Sequence, residues 1–98
     1  MNFDQEGVGP FLAELSRSFT SGLDASQADI LAQSIDSLPV GQTGNWEYKV
    51  VANGKTERLV IVAFQDDVDA PDLAFYSSPE LAARIQDQLE SFAQAQGW

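Results

Sequence analysis

The chain has 98 residues, with 15 Asp and Glu against five Lys and Arg, no His and no Cys, and a formal net charge of −10. Without Cys there is no disulfide, thiolate nucleophile or thiolate metal site; without His there is no imidazole base, Ser–His relay or His-ligated metal. The length suits one domain, 1–98, and a 44 % hydrophobic fraction with six Phe, two Trp and two Tyr argues for a packed core rather than a disordered acidic chain.

The acidity is unevenly spread. Residues 1–38 carry six acids against Arg17, and residues 66–98 carry seven against Arg84. Residues 39–65 carry Glu47 and Glu57 against Lys49, Lys55 and Arg58, a net +1. The start, Met1-Asn2-Phe3-Asp4-Gln5-Glu6, lacks the cationic opening of a signal peptide. No apolar run approaches the roughly 18 residues of a membrane span. A cytoplasmic protein is expected.

Phe11, Leu12, Leu15 and Phe19 recur at helical spacing, so a first helix is predicted, with Pro10 in its first turn and Gly22 as its stop. Asp24-Ala25-Ser26-Gln27 has the form of a capping box and opens a second helix. Ile30, Leu31, Ile35 and Leu38 form its predicted apolar stripe, and Pro39 ends it. Asn53-Gly54 between two β-rich runs is a strong hairpin signal. Counting outward from that turn sets Ala52 against Lys55, Val50 against Glu57, Tyr48 against Leu59 and Trp46 against Ile61. One sheet face then holds Trp46, Tyr48, Val50, Leu59 and Ile61. The other holds Glu47, Lys49, Val51, Thr56, Arg58, Val60, Val62 and Phe64, with Glu47 diagonal to Arg58 as a cross-strand ion pair.

Asp66 to Asp72 reads as a turn by composition, and Leu73-Ala74-Phe75-Tyr76 as a short third strand. Ser78-Pro79-Glu80 opens a last helix, running to about Gln96, whose stripe is Leu81, Ile85, Leu89 and Phe92. Glu80 and Arg84 are spaced to pair on its flank. The predicted fold is α+β, in the order ααβββα: a three-stranded antiparallel meander with helices packed mainly on the Trp46 face. Trp98 reads either as a loose end or as a peg in a groove.

Four carboxylates, Asp66, Asp67, Asp69 and Asp72, fall within seven residues. Ca²⁺ or Mg²⁺ needs several such oxygens converging, but the EF-hand pattern of Gly and Glu is missing. A solvated turn whose charges discourage aggregation is the simpler reading, and a cation site the alternative. No G-x-S-x-G, S-x-x-K or phosphate-cradling Gly motif occurs. Asp36-Ser37-Leu38 resembles the phosphopantetheine attachment triplet of acyl carrier proteins, but there the Ser opens a helix and here it closes one. No cofactor is expected, and no enzyme activity.

Five cations against fifteen anions argue against direct binding of nucleic acid or anionic membranes. The expected role is a small acidic interaction or regulatory protein that binds a protein partner or itself. The candidate binding residues are Val51, Val60, Val62 and Phe64, an apolar patch if helices cover only the other face. Two alternatives follow from the charge: a DNA mimic that inhibits a nucleic-acid-binding protein, and a halophile-type protein whose acidity is only a solvation device.

Overall fold

A computed structural model describes residues 3, 5–66 and 70–97. Helices α1 (Gln5–Ser16) and α2 (Ala25–Asp36) precede strands β1 (Thr43–Ala52), β2 (Lys55–Gln65) and β3 (Pro71–Tyr76), and helix α3 (Pro79–Gln96) follows. The strands form one antiparallel sheet in the order β1-β2-β3, which gives the predicted ααβββα meander.

Asn53 (φ 52°) and Gly54 (φ 76°) both adopt positive φ, as a type I′ turn requires. This turn fixes the register. Ala52 pairs with Lys55, Val50 with Glu57, Tyr48 with Leu59 and Trp46 with Ile61, as counted from the sequence. β3 extends the sheet, with Val60 against Tyr76, Val62 against Ala74 and Phe64 against Asp72. Pro71 and Asp72 therefore belong to β3 rather than to the acidic turn.

The helices pack on the face that carries Val50, Leu59, Ile61, Ala63 and Leu73, all at most 1 % exposed. Phe11 lies at the centre. Its ring is 5.4 Å from Phe3, 5.8 Å from Phe75 and 5.4 Å from Phe92, the last two edge-on. It thereby joins α1, β3, α3 and the residue that leads into α1.

The N-terminal flank departs from expectation. α1 starts at Gln5, so Pro10 lies inside the helix rather than in its first turn. Gly7, Gly9 and Pro10 are poor helix residues, together costing roughly 5 kcal/mol against Ala. Burial of Phe3 and Val8, each at most 1 % exposed, contributes a comparable ~3–6 kcal/mol in the other direction. The helix also ends at Ser16, and Phe19 is buried beyond it.

Gly22 is therefore not the stop of α1. It sits where the chain crosses the outer edge of β1. Thr20 N–H donates to the Val51 carbonyl at 2.8 Å, and Val51 N–H donates to the Ser21 carbonyl at 3.0 Å. Gly22 adopts φ +98°, and a Cβ there would lie 2.0 Å from the Lys49 carbonyl oxygen.

α2 opens with the capping box predicted for it. Asp24 Oδ1 accepts from Gln27 N–H at 2.8 Å, and Gln27 Oε1 accepts from Asp24 N–H at 2.9 Å. Its buried stripe is Ala28, Leu31 and Ile35; Ile30 instead points to solvent, 61 % exposed, and Leu38 lies past the helix end. Ser37 is the C-cap, its hydroxyl donating to the Gln33 carbonyl at 2.9 Å.

α3 begins at the Ser78 cap with Pro79 first, and buries Leu81, Ile85, Leu89 and Phe92. Glu80 pairs not with Arg84 but with Lys55, at 3.7 Å. The Ser78 hydroxyl also donates to Glu57. These two contacts join the start of β2 to the start of α3. Trp98 lies outside the described residues.

Two stability predictions follow. Phe11→Ala removes the shared ring and should lower stability by about 3–5 kcal/mol in denaturant melts, enough to unfold much of a marginally stable chain. Gly22→Ala should cost more than ~1–2 kcal/mol, from the left-handed φ and the clash with Lys49, whereas Gly54, with open space around it, should lose only the φ component on the same change.

Candidate functional site: the open face of the sheet

Side chains alternate across a strand, so the register assigns every residue of the second face. Along β2 this face carries Thr56, Arg58, Val60, Val62 and Phe64. β1 contributes Glu47, Lys49 and Val51 among others, and β3 contributes Asp72, Ala74 and Tyr76. None of these belongs to the buried core cluster or packs against it, whereas Trp46, Tyr48 and Phe75 of the opposite face do.

The face has two zones. Val60, Val62 and Ala74 are half-buried by their sheet neighbours, with Phe64 (39 % exposed) and Tyr76 (60 % exposed) at the two ends of the block. Beside them runs a charged strip. Arg58 Nε and Nη2 both reach Glu47 Oε1 at 2.5 Å, across the strand pair and diagonal to it, as the register implies. Both partners are well solvated, so the pair orders the Arg58 side chain more than it stabilises the fold. Lys49 sits directly opposite Arg58.

Of the four apolar residues expected on this face, Val60, Val62 and Phe64 come together. Val51 does not join them. It lies toward the hairpin, opposite Thr56, with Lys49 and Arg58 between it and Val60. Ala74 and Tyr76 complete the block and were missed. Their signal was present, because period-two alternation through Leu73-Ala74-Phe75-Tyr76 sets Ala74 and Tyr76 on one face; only the register with β2 was needed to say which.

A concavity of about 480 Å³ adjoins the block, lined by Thr56, Glu57, Arg58, Val60, Tyr76, Ser77 and Ser78. It lies where the sheet meets the start of α3 and mixes apolar wall with hydroxyls and the charged groups of Glu57 and Arg58. A smaller groove, about 250 Å³, lies between β3 and α3 and is lined mainly by Leu73, Phe75, Ala82, Ile85 and Leu89.

The acidic segment gives no cation cage among the described residues, where no group of three or more carboxylates is placed to hold a metal. Asp66 is exposed after β2, and Asp72 sits in β3 opposite Phe64. Asp67 and Asp69 lie outside the described residues. No described helix is long and apolar enough to cross a membrane.

Tyr48 lies on the helix-covered face, and burial raises its phenol above the ordinary value of 10.0. Below about pH 10 the phenol is neutral in folded and unfolded chains alike. Above that, the unfolded chain ionises first, so stability is lost as pH rises through the folded value. Thermal melts should fall in Tm from about pH 10 upward, and Tyr48→Phe should reduce that fall while leaving the neutral-pH Tm nearly unchanged.

No protein-family model matches the chain, and neither a curated protein nor a solved structure shows significant similarity to it. The functional reading therefore stands on the geometry and chemistry of the face.

Proposed function

We propose that the protein is a small non-enzymatic interaction protein that docks a protein partner on the open sheet face, through Val60, Val62, Phe64, Ala74 and Tyr76. The observation that supports this is the pair of exposed aromatics, Phe64 and Tyr76, set at either end of an apolar block on a face without helices. Contiguous apolar surface of this kind, rimmed by polar groups, is characteristic of binding sites. Aromatic anchors beside a charged rim are also the usual anatomy of an interface. Here the rim is the Glu47–Arg58 pair with Lys49, in the least acidic third of the chain.

The chemistry of the chain agrees with a binding role. It has no imidazole or thiol to activate a nucleophile. Its acids lie largely at caps, in loops and on exposed helix positions, where they solvate the molecule and repel nonspecific anionic surfaces.

Affinity capture from native lysate tests the reading with four baits. Phe64→Asp, alone or with Val62→Asp, should lose the partner retained by the wild type. Ile30→Asp, on the exposed side of α2, should retain it. Both changed residues on the face are at least partly solvated, so Tm should move by no more than about 1 kcal/mol in stability terms. Equal retention by the Phe64→Asp bait would refute the proposal.

A further inference from the structure

The open face is polarised along its strands. The register sets Lys49 beside Arg58 toward the hairpin, and Asp72 beside Phe64 at the opposite end. Between them lie Val60 beside Tyr76 and Val62 beside Ala74. Glu47 is the remaining charge on the paired part of this face, so Lys49 and Arg58 balance Glu47 and Asp72. On a chain of net −10 this is a neutral surface. Its two ends carry opposite signs, which makes the face complementary to a reversed copy of itself.

We propose that the partner docked on this face is a second copy of the chain, stacked face to face with its strands antiparallel; the inference rests on the docking role proposed above. The two-fold axis lies between the sheets, perpendicular to the strands, midway between Val60 and Val62. Each strand then lies over its own counterpart in reverse. Val60 meets Val62 of the second copy, and the exposed Tyr76 ring stands over Ala74, the smallest side chain of the block. Arg58 meets the end that carries Phe64 and Asp72, so its guanidinium lies against the Phe64 ring.

Asp72 of the second copy falls where β3 would lie beside Arg58 if it ran on past Tyr76. That position is the concavity lined by Arg58, Tyr76 and Ser78 among others. Arg58 turns Nε and Nη2 to a single oxygen of Glu47, which leaves other N–H donors of the guanidinium for Asp72. A carboxylate accepts several hydrogen bonds, so contacts of Asp72 within its own chain leave room for this one.

Other arrangements fit less well. An axis along β2 sets Arg58 on Arg58, opposing like charges. An axis moved onto Val62 sets Tyr76 on Asp72 and Ala74 on Ala74. An axis moved onto Val60 sets Arg58 on Val62 and Phe64 on Thr56. Packed sheets keep their strands within about 30° of each other, so the pairing is closest at the axis.

The contact is modest. Three strands about 4.8 Å apart, over some 27 Å of strand, give roughly 400 Å² per copy. The total lies below the ~1,200 Å² of standard stable interfaces, so the dimer is concentration-dependent.

Sedimentation from micromolar to millimolar protein tests this, in salt that screens the −10 charges beyond about 8 Å. The wild type should pass from monomer to dimer across that range. Arg58→Glu and Asp72→Lys each bring like charges together at both ends of the contact, and each should weaken dimerisation roughly tenfold or more. Mixed in equal amounts, the two variants should recover it. A mixed pair brings the new carboxylate to the new lysine at one end and Arg58 to Asp72 at the other. Both positions are exposed, so thermal melts should stay close to wild type. A strict monomer at millimolar protein, single variants that dimerise as the wild type does, or a mixture no better than its components would each overturn the proposal. A monomeric wild type that still captures a different protein through Phe64 would remove only the second copy and leave the docking role.

Discussion

The Phe11 ring cluster is the contact on which the rest of the architecture depends. Three further aromatic rings, from the chain ahead of α1, from β3 and from α3, converge on a side chain with no solvent exposure. Each ring removes some 150–250 Å² from water, so the cluster concentrates much of the hydrophobic stabilisation at one point. It also fixes an asymmetry. Once α1 and α3 meet β3 through Phe11, their apolar stripes are satisfied on one side of the sheet. α2 then packs on α1, with Leu31 and Ile35 inward. No helix remains to cover the second face, and its open state follows from how the first face is filled.

Polar contacts refine this arrangement rather than create it. Ser78 caps α3 and also donates to Glu57, so one hydroxyl sets both the start of the helix and its place beside β2. Lys55 and Glu80 repeat the tie at 3.7 Å across the surface. On the opposite edge, residues 20–21 clasp β1 at Val51, and Gly22 lets the chain approach the strand with no side chain in the way. Gln65 is the one exception to this polar economy among the described residues: it is buried, with Oε1 unpartnered, at the end of the sheet.

What could be read from the sequence was local. Asn53-Gly54 determines a two-residue turn, and a turn determines register, so the membership of both sheet faces followed by counting. The Asp24–Gln27 box and the Ser78-Pro79 start were legible for the same reason, since a cap is satisfied within four residues. The misreadings lie where tertiary packing outweighs local preference. Gly7 and Gly9 read as chain ahead of the first helix and Pro10 as its first turn, but the burial of Phe3 and Val8 carries the helix back through them to Gln5. Gly22 reads as a helix stop, yet its reason for being glycine is a carbonyl of β1 some 27 residues further along the chain. Glu80 was within reach of Arg84, but Lys55 is brought beside it only by the fold. For the site, the sequence identified the face and three of its apolar residues. Whether helices covered it, and which side of β3 joined it, depended on long-range packing.

The position of the charge bears on the docking role proposed for the open face. An apolar patch on a weakly charged protein invites nonspecific association. Here the acids sit mainly on helix surfaces and near the Asp66 turn, while the sheet itself is close to neutral. Repulsion therefore acts between approaches through the helices and least between approaches through the sheet. A partner reaching the Phe64 block meets Arg58 and Lys49 at its rim instead of carboxylates alone, and only Glu47 and Asp72 interrupt it. On the proposed docking role, the same distribution that repels anionic surfaces from the helices would leave the sheet, with Phe64 and Tyr76 exposed on it, as the side of least repulsion.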